Sequence, residues 1–149
     1  MLFFEDVTVG DKVDFGSVEV TREEVLEFAQ RYDPQPFHLS DEAAAMTPFG
    51  KIAASGWHTA AMIMRLMVDK LSGEGFMALG SPGVEGIRWH KPVFPGDTIS
   101  ARSEVIEKVE SKSKPFMGIV KTDVTVTNQD GDVVMTSRPT MMVARKPVS

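Results

Sequence analysis

Cysteine is absent from this 149-residue chain. That excludes disulfides, thiolate nucleophiles and cysteine-based zinc sites, and it fits a reducing compartment. Histidine is scarce. His38, His58 and His90 are the only three, 20 and 32 residues apart, and no pair has metal-ligand spacing, so no metal site is expected. Neither a Walker-type phosphate loop nor a GxGxxG turn is present. Gly73, Gly75 and Gly80 precede an expected strand rather than a helix, which argues against nucleotide-binding folds. The net charge is −5 with no lysine or arginine cluster, so a nucleic-acid partner is not expected. The longest apolar run, Ile52 to Val68, is broken by His58 and Arg65, which argues against a membrane span. The amino terminus, MLFFEDVTVG, has no basic region ahead of an apolar stretch, so no signal peptide is expected. Internal repeats, low-complexity tracts and linkers are also missing. With 42% hydrophobic residues, the chain can bury one real core and is too short for two ordinary ones. The expectation is a single soluble domain, residues 1–149, in the cytoplasm.

The elements follow from periodicity. Val13 with Phe15, and Val18 with Val20, alternate around Gly10-Asp11 and Gly16, which predicts a strand or hairpin. Thr21 and Glu24 have capping-box spacing ahead of an apolar stripe, Val25, Phe28, Ala29 and Tyr32. That helix must end near Tyr32, because Pro34 pushes Asp33 out of the helical region and Pro36 blocks a restart before Phe37. Ser40 can cap a short helix from Asp41 to Met46, whose first-turn acids suit the positive end of the dipole. A third helix, about Gly56 to Leu71, is apolar in nearly every direction, which predicts that protein surrounds it. It spans roughly 24 Å, comparable to a small sheet.

Beyond Gly80 the pattern is β. Ile87 and Trp89 alternate with Arg88 and His90; Ile99, Ala101, Ser103 and Val105 alternate with polar neighbours; so do Val120, Thr122, Val124 and Val126. Each predicts a strand with one buried face. Asp130-Gly131 predicts a hairpin into a last strand, about Val133 to Val143, with Pro139 at an edge or a bulge. Strand, helices, then consecutive antiparallel strands define an α+β fold in which a curved sheet wraps the long helix.

Two stretches can carry chemistry. In YDPQPFHLS, two prolines separate Asp33 from His38. On a regular element these side chains would diverge, whereas a proline-braced turn can aim both into one cleft. A carboxylate and an imidazole around one water can orient and deprotonate it. The plain alternative is an Asx-type turn with His38 as an ordinary loop residue. In IAASGWHT, small residues lead into the apolar helix, so free backbone N–H groups at its start can face a ligand oxygen and stabilise a developing oxyanion. The alternative there is that Ser55 caps the helix and Gly56 permits close packing. His58, in the first turn, is expected to be a neutral, packed histidine, because the dipole disfavours a cation at that end.

Asp33-x4-His38 after an amphipathic helix, then FGKIAASGWHTAAMIMRL, then GIRWHKPVFPGDTI, resembles the MaoC-like dehydratase family, relatives of the (R)-specific enoyl-CoA hydratases. The resemblance runs from about Phe4 to Val143. It implies a hot-dog fold, an antiparallel sheet around a long central helix, and a homodimer or higher homo-oligomer with active sites near the subunit interface. By the same resemblance Asp33 and His38 are the catalytic pair. The Gly56 N–H is the leading oxyanion donor, with Ser55 and Trp57 beside it. Hydratases of this kind often carry histidine where this chain has Ser55.

The implied reaction is reversible hydration of a trans-2-enoyl thioester, with no cofactor and an acyl-CoA or acyl-carrier substrate. Lys51, Arg88 and Lys91 are the cations available for its phosphates. Phe37, Phe49, Trp57 and the methionines could shape an acyl pocket, but are expected chiefly as core. Two other readings share the fold: an acyl-CoA thioesterase, and a non-catalytic acyl-CoA-binding dimer.

Overall fold

Thr21 opens the first long helix as its position predicts, its side chain accepting the Glu24 N–H at 3.3 Å. The computed structural model describes residues 1–148. After a 3-10 turn at Phe4–Asp6, the elements are β1 (Lys12–Glu19), α1 (Arg22–Tyr32), α2 (Pro36–Leu39), α3 (Asp41–Ala45) and α4 (Gly56–Gly73). They continue with β2 (Ala78–Trp89), β3 (Thr98–Glu110), β4 (Met117–Thr127) and β5 (Val133–Ala144). The amino-terminal pattern resolves as one strand rather than a hairpin. Gly16, with φ +83°, lies at a register shift against β3, so the residue that suggested a turn makes a bulge instead.

All strand pairs are antiparallel, in the order β1-β3-β4-β5-β2. β3, β4 and β5 follow one another as expected, and Gly131 (φ +80°) supplies the left-handed position of the β4–β5 turn. β2 departs from the consecutive order. It pairs with β5 at the far edge, and the chain from His90 to Asp97 returns to β3. Val93 of that return is buried in the core, and its carbonyl accepts the Ala54 N–H at 2.7 Å. The stretch ahead of α4 is thereby tied to the sheet.

The inner face of α4, Met62, Ile63 and Met67, packs on Ile99, Ala101, Val124, Val126, Val134 and Met135. Every residue expected on the inner faces of β3 and β4 is buried. A second cluster, Phe4, Val7, Val105, Val120 and Val143, seats the 3-10 turn on the other end of the sheet.

Three expectations need correction. The helix α4 is not surrounded: Trp57, Met64 and Val68 form an exposed stripe opposite the core face. β2 has no buried face: it is an edge strand on which Leu79, Val84 and Trp89 are all exposed and Ile87 is only half-buried. It also begins earlier, taking in Gly80 and Pro82, which an edge tolerates. Of the two places expected for Pro139, the edge is excluded, because β5 is interior, and an irregular ladder is what is found. Pro139 pairs with Val84 between two register shifts in the β2–β5 ladder, so the irregularity of that ladder accommodates the missing N–H.

The carboxy-terminal segment is held electrostatically. The Lys146 backbone N–H and the Arg145 guanidinium keep Glu5 below the usual carboxylate range, and the Lys146 ammonium with the Phe3 N–H does the same for Asp6. Lowered folded values mean that the contribution is present above the unfolded values and lost as pH falls through the folded ones. Amide exchange at Arg145 and Lys146 is therefore expected to accelerate as pH drops from about 5 to about 3, beyond the intrinsic trend, and E5Q is expected to remove part of that dependence.

Candidate active site

Asp33 ends α1 with φ −149° and ψ 66°, its N–H still bonded to Ala29 O. Pro34 bars helical geometry at Asp33. Pro36 then occupies the first position of α2, where the absent N–H has no acceptor to lose and the ring presets φ. The stretch expected to be irregular thus contains one helical turn, and His38 rides on it.

His38 is buried, and its Nδ1 lies 2.8 Å from Ala53 O. A carbonyl can only accept, so Nδ1 carries the proton and Nε2 presents a lone pair. That nitrogen is 3.4 Å from Asp33 Oδ2. The Asp33 carboxylate is held at both oxygens: Gln35 Nε2 donates to Oδ1 at 2.6 Å and Ser55 Oγ donates to Oδ2 at 2.6 Å. The Ser55 bond is the main reason that Asp33 sits below its usual pKa, helped by the Gln35 bond and opposed by partial burial. Gln35 escapes sequence reading, because a glutamine between two prolines gives no periodic signal.

Ser55 is wholly buried at the N-cap of α4, yet its side chain makes no capping bond. Its hydroxyl goes to Asp33 instead, and its carbonyl accepts from His58 N and Thr59 N. Among the described residues the Gly56 and Trp57 N–H groups have no acceptor. They stand at the positive end of a helix roughly 27 Å long.

Close packing at Gly56 is also real. Trp89 Nε1 donates to Gly56 O at 2.9 Å, and a Cβ on Gly56 would lie 2.6 Å from the indole ring. Trp57 meets Trp89 edge-on, with ring centroids 5.1 Å apart. Nothing in the strand pattern around Trp89 reveals this role, which depends on β2 reaching the start of α4.

A cleft of about 250 Å³ opens here, lined by Phe37, His38, Phe49, Gly56, Trp89 and Lys91 among others. Phe49 and Trp57 are 50% and 59% exposed, so neither is core, contrary to expectation. Lys91 lines the cleft with its ammonium 3.1 Å from Asp132, and Lys51 lies 4.3 Å over the Phe94 ring. Arg88 does not join them. It lines a groove on the outer face of the sheet with Asp123 and Arg138. His58 is buried against Phe28, rings 4.8 Å apart and nearly parallel, and burial pushes its pKa down, so it is neutral as anticipated. Its Nδ1 has no hydrogen-bond partner. Among the described residues no three His, Asp or Glu side chains are grouped to hold a metal ion.

An antiparallel sheet curled on one long helix, with an acid and a histidine beside that helix's free amides, is the hot-dog class. The family description "MaoC like domain" matches residues 5–128, and the chain belongs to the MaoC-like dehydratase family. The solved structure of a MaoC-like dehydratase from Rhodospirillum rubrum is 41% identical, covers 99% of this chain and 100% of its own, and superposes with a TM-score of 0.89. The unliganded R-hydratase PhaJ1 of Pseudomonas aeruginosa is 25% identical over 99% of this chain and 95% of its own, with a TM-score of 0.75. A 3-hydroxybutyryl-CoA dehydratase of Methylorubrum extorquens is 31% identical over 115 residues, 76% of this chain and 70% of its own.

Gly56→Ala tests the packing against Trp89. It is expected to destabilise by about 1–3 kcal/mol in urea unfolding, as overpacking does. Trp89→Leu in the same chain is expected to return part of that loss, because it removes the ring the methyl would strike.

Proposed function

We propose that the chain hydrates trans-2-enoyl thioesters reversibly, with coenzyme A or an acyl carrier as the handle. The observation that carries this reading is the 3.4 Å approach of His38 Nε2 to Asp33 Oδ2, one residue away from the free Gly56 amide through the Ser55 bond. The relatives named above as a dehydratase and a hydratase support it.

In the hydration direction, water binds between Nε2 and Oδ2. His38 takes a proton as the water oxygen forms its bond to the β-carbon. The π electrons move toward the thioester carbonyl, whose developing negative charge meets the Gly56 N–H and the helix start. The imidazolium then protonates the α-carbon and regains its neutral form. Atoms balance: enoyl thioester plus water gives the 3-hydroxyacyl thioester. Asp33, held ionised, orients the water and offsets the transient cation on His38.

D33N and H38A are each expected to lower kcat for crotonyl-CoA hydration by about 100-fold or more, with unfolding midpoints close to the parent. Following loss of the enoyl absorbance, with a thiol reagent in parallel, separates hydration from thioester cleavage. Parent-level rates in both variants would remove the pair from the mechanism. Release of free thiol without hydration would favour the thioesterase reading, and binding of acyl-CoA without turnover the binding-only one.

The assembly we propose is a homodimer. The exposed α4 stripe, Trp57, Met64 and Val68, meets the exposed edge strand β2 through the Trp57–Trp89 contact, so one apolar surface is continuous. M64E with V68E is expected to shift the light-scattering mass from dimer to monomer. An unchanged mass would move the interface elsewhere.

A further inference from the structure

Ser55 is the residue in the site whose behaviour departs most from its position. A serine at an N-cap ordinarily accepts a bond from the first turn of its own helix. Here the N-cap makes no such bond; the hydroxyl donates instead to Asp33 Oδ2, 22 residues earlier, at 2.6 Å. Ser55 has no exposed surface, so its hydroxyl is closed to a substrate. Its own backbone leads directly into Gly56.

From this we infer that Ser55 is a positioning residue that fixes the spacing between the two halves of the reaction: the Asp33–His38 pair and the Gly56 amide. The inference rests on the hydratase reading above. By donating to one carboxylate oxygen while Gln35 donates to the other, Ser55 sets the rotation of the Asp33 carboxylate. Because its backbone runs straight into Gly56, the same bond ties the carboxylate to the start of the helix. The hydroxyl thus acts through the Asp33 carboxylate, on steps after substrate has bound.

The test is Ser55→Ala in crotonyl-CoA hydration, alone and with Asp33→Asn. S55A is expected to lower kcat about ten- to a hundredfold, the range of one hydrogen bond to a charged group, with KM within about twofold. In the D33N background the same change is expected to alter kcat by less than about twofold, because Ser55 acts through a carboxylate that is already gone. A parent-like kcat in S55A, a loss confined to KM, or an undiminished effect in D33N would each overturn the inference. Loss of folding in both S55A and S55G would make the hydroxyl a structural strut and overturn it as well. A parent protein that hydrates no enoyl thioester would instead sink the hydratase reading, and this inference with it.

Discussion

A carboxylate partly withdrawn from bulk water is steadied in its charged form by donors inside the protein. Asp33 finds two, Gln35 from its own turn and Ser55 from the start of the long helix. The second tie is the one on which the remaining geometry depends. It joins the proline turn that carries His38 to the helix that carries the free amides, and it withdraws the N-cap hydroxyl from the amides it would otherwise approach. One hydrogen bond therefore favours the charged form of the acid and holds the two segments together.

The supports of that bond are rigid elements. α4 is anchored along its inner face by apolar side chains of β3, β4 and β5, and the residues just ahead of it are pinned by Ala54 N–H to the buried return at Val93. Trp89 closes on Gly56 from the end of β2, where the absence of a side chain lets an indole lie against the backbone. His38 is steadied on its other nitrogen by Ala53 O, which comes from the same pinned segment. His38 Nδ1 and the Gly56 amide thus both take their positions from residues 53 to 56. Little reorganisation is needed around charges that develop there.

Much of this was legible in the chain because it is written in local chemistry. Thr21, Ser40, Pro34 and Asp130-Gly131 set element ends through bonds or dihedrals that span only a few residues. The inner faces of β3 and β4 follow strict alternation, and all eight expected positions are buried. Asp33 and His38 were legible as a pair because the prolines between them limit the turn. What failed is non-local. Exposure of β2 and of the outer stripe of α4 depends on which strand ends at the edge, which periodicity does not encode. Pro36 as a helix opener, rather than only a breaker, depends on whether the following residues can be capped and buried. Ser55 satisfied the rule for a cap and was claimed by a stronger acceptor far away in sequence. Trp89 acquires its role only once distant segments meet, whereas Gln35 acts two residues away but carries no periodic signal.

The misread surfaces and the site are related. The exposed stripe of α4 begins at Trp57, beside Gly56, and the edge strand ends at Trp89, which lines the cleft. In a lone chain these aromatic side chains leave the helix start facing solvent, where water competes for the amides and screens the helix field. A second copy seated on the stripe and the edge would displace that water. The same amides and the same acid–histidine pair would then act in a drier medium, where each charge-assisted contact is stronger. On this view the apolar exposure is not a defect of the monomer. In the homodimer proposed above, it is the part of the site's wall that the second copy covers, so that assembly and the proposed chemistry draw on the same few residues.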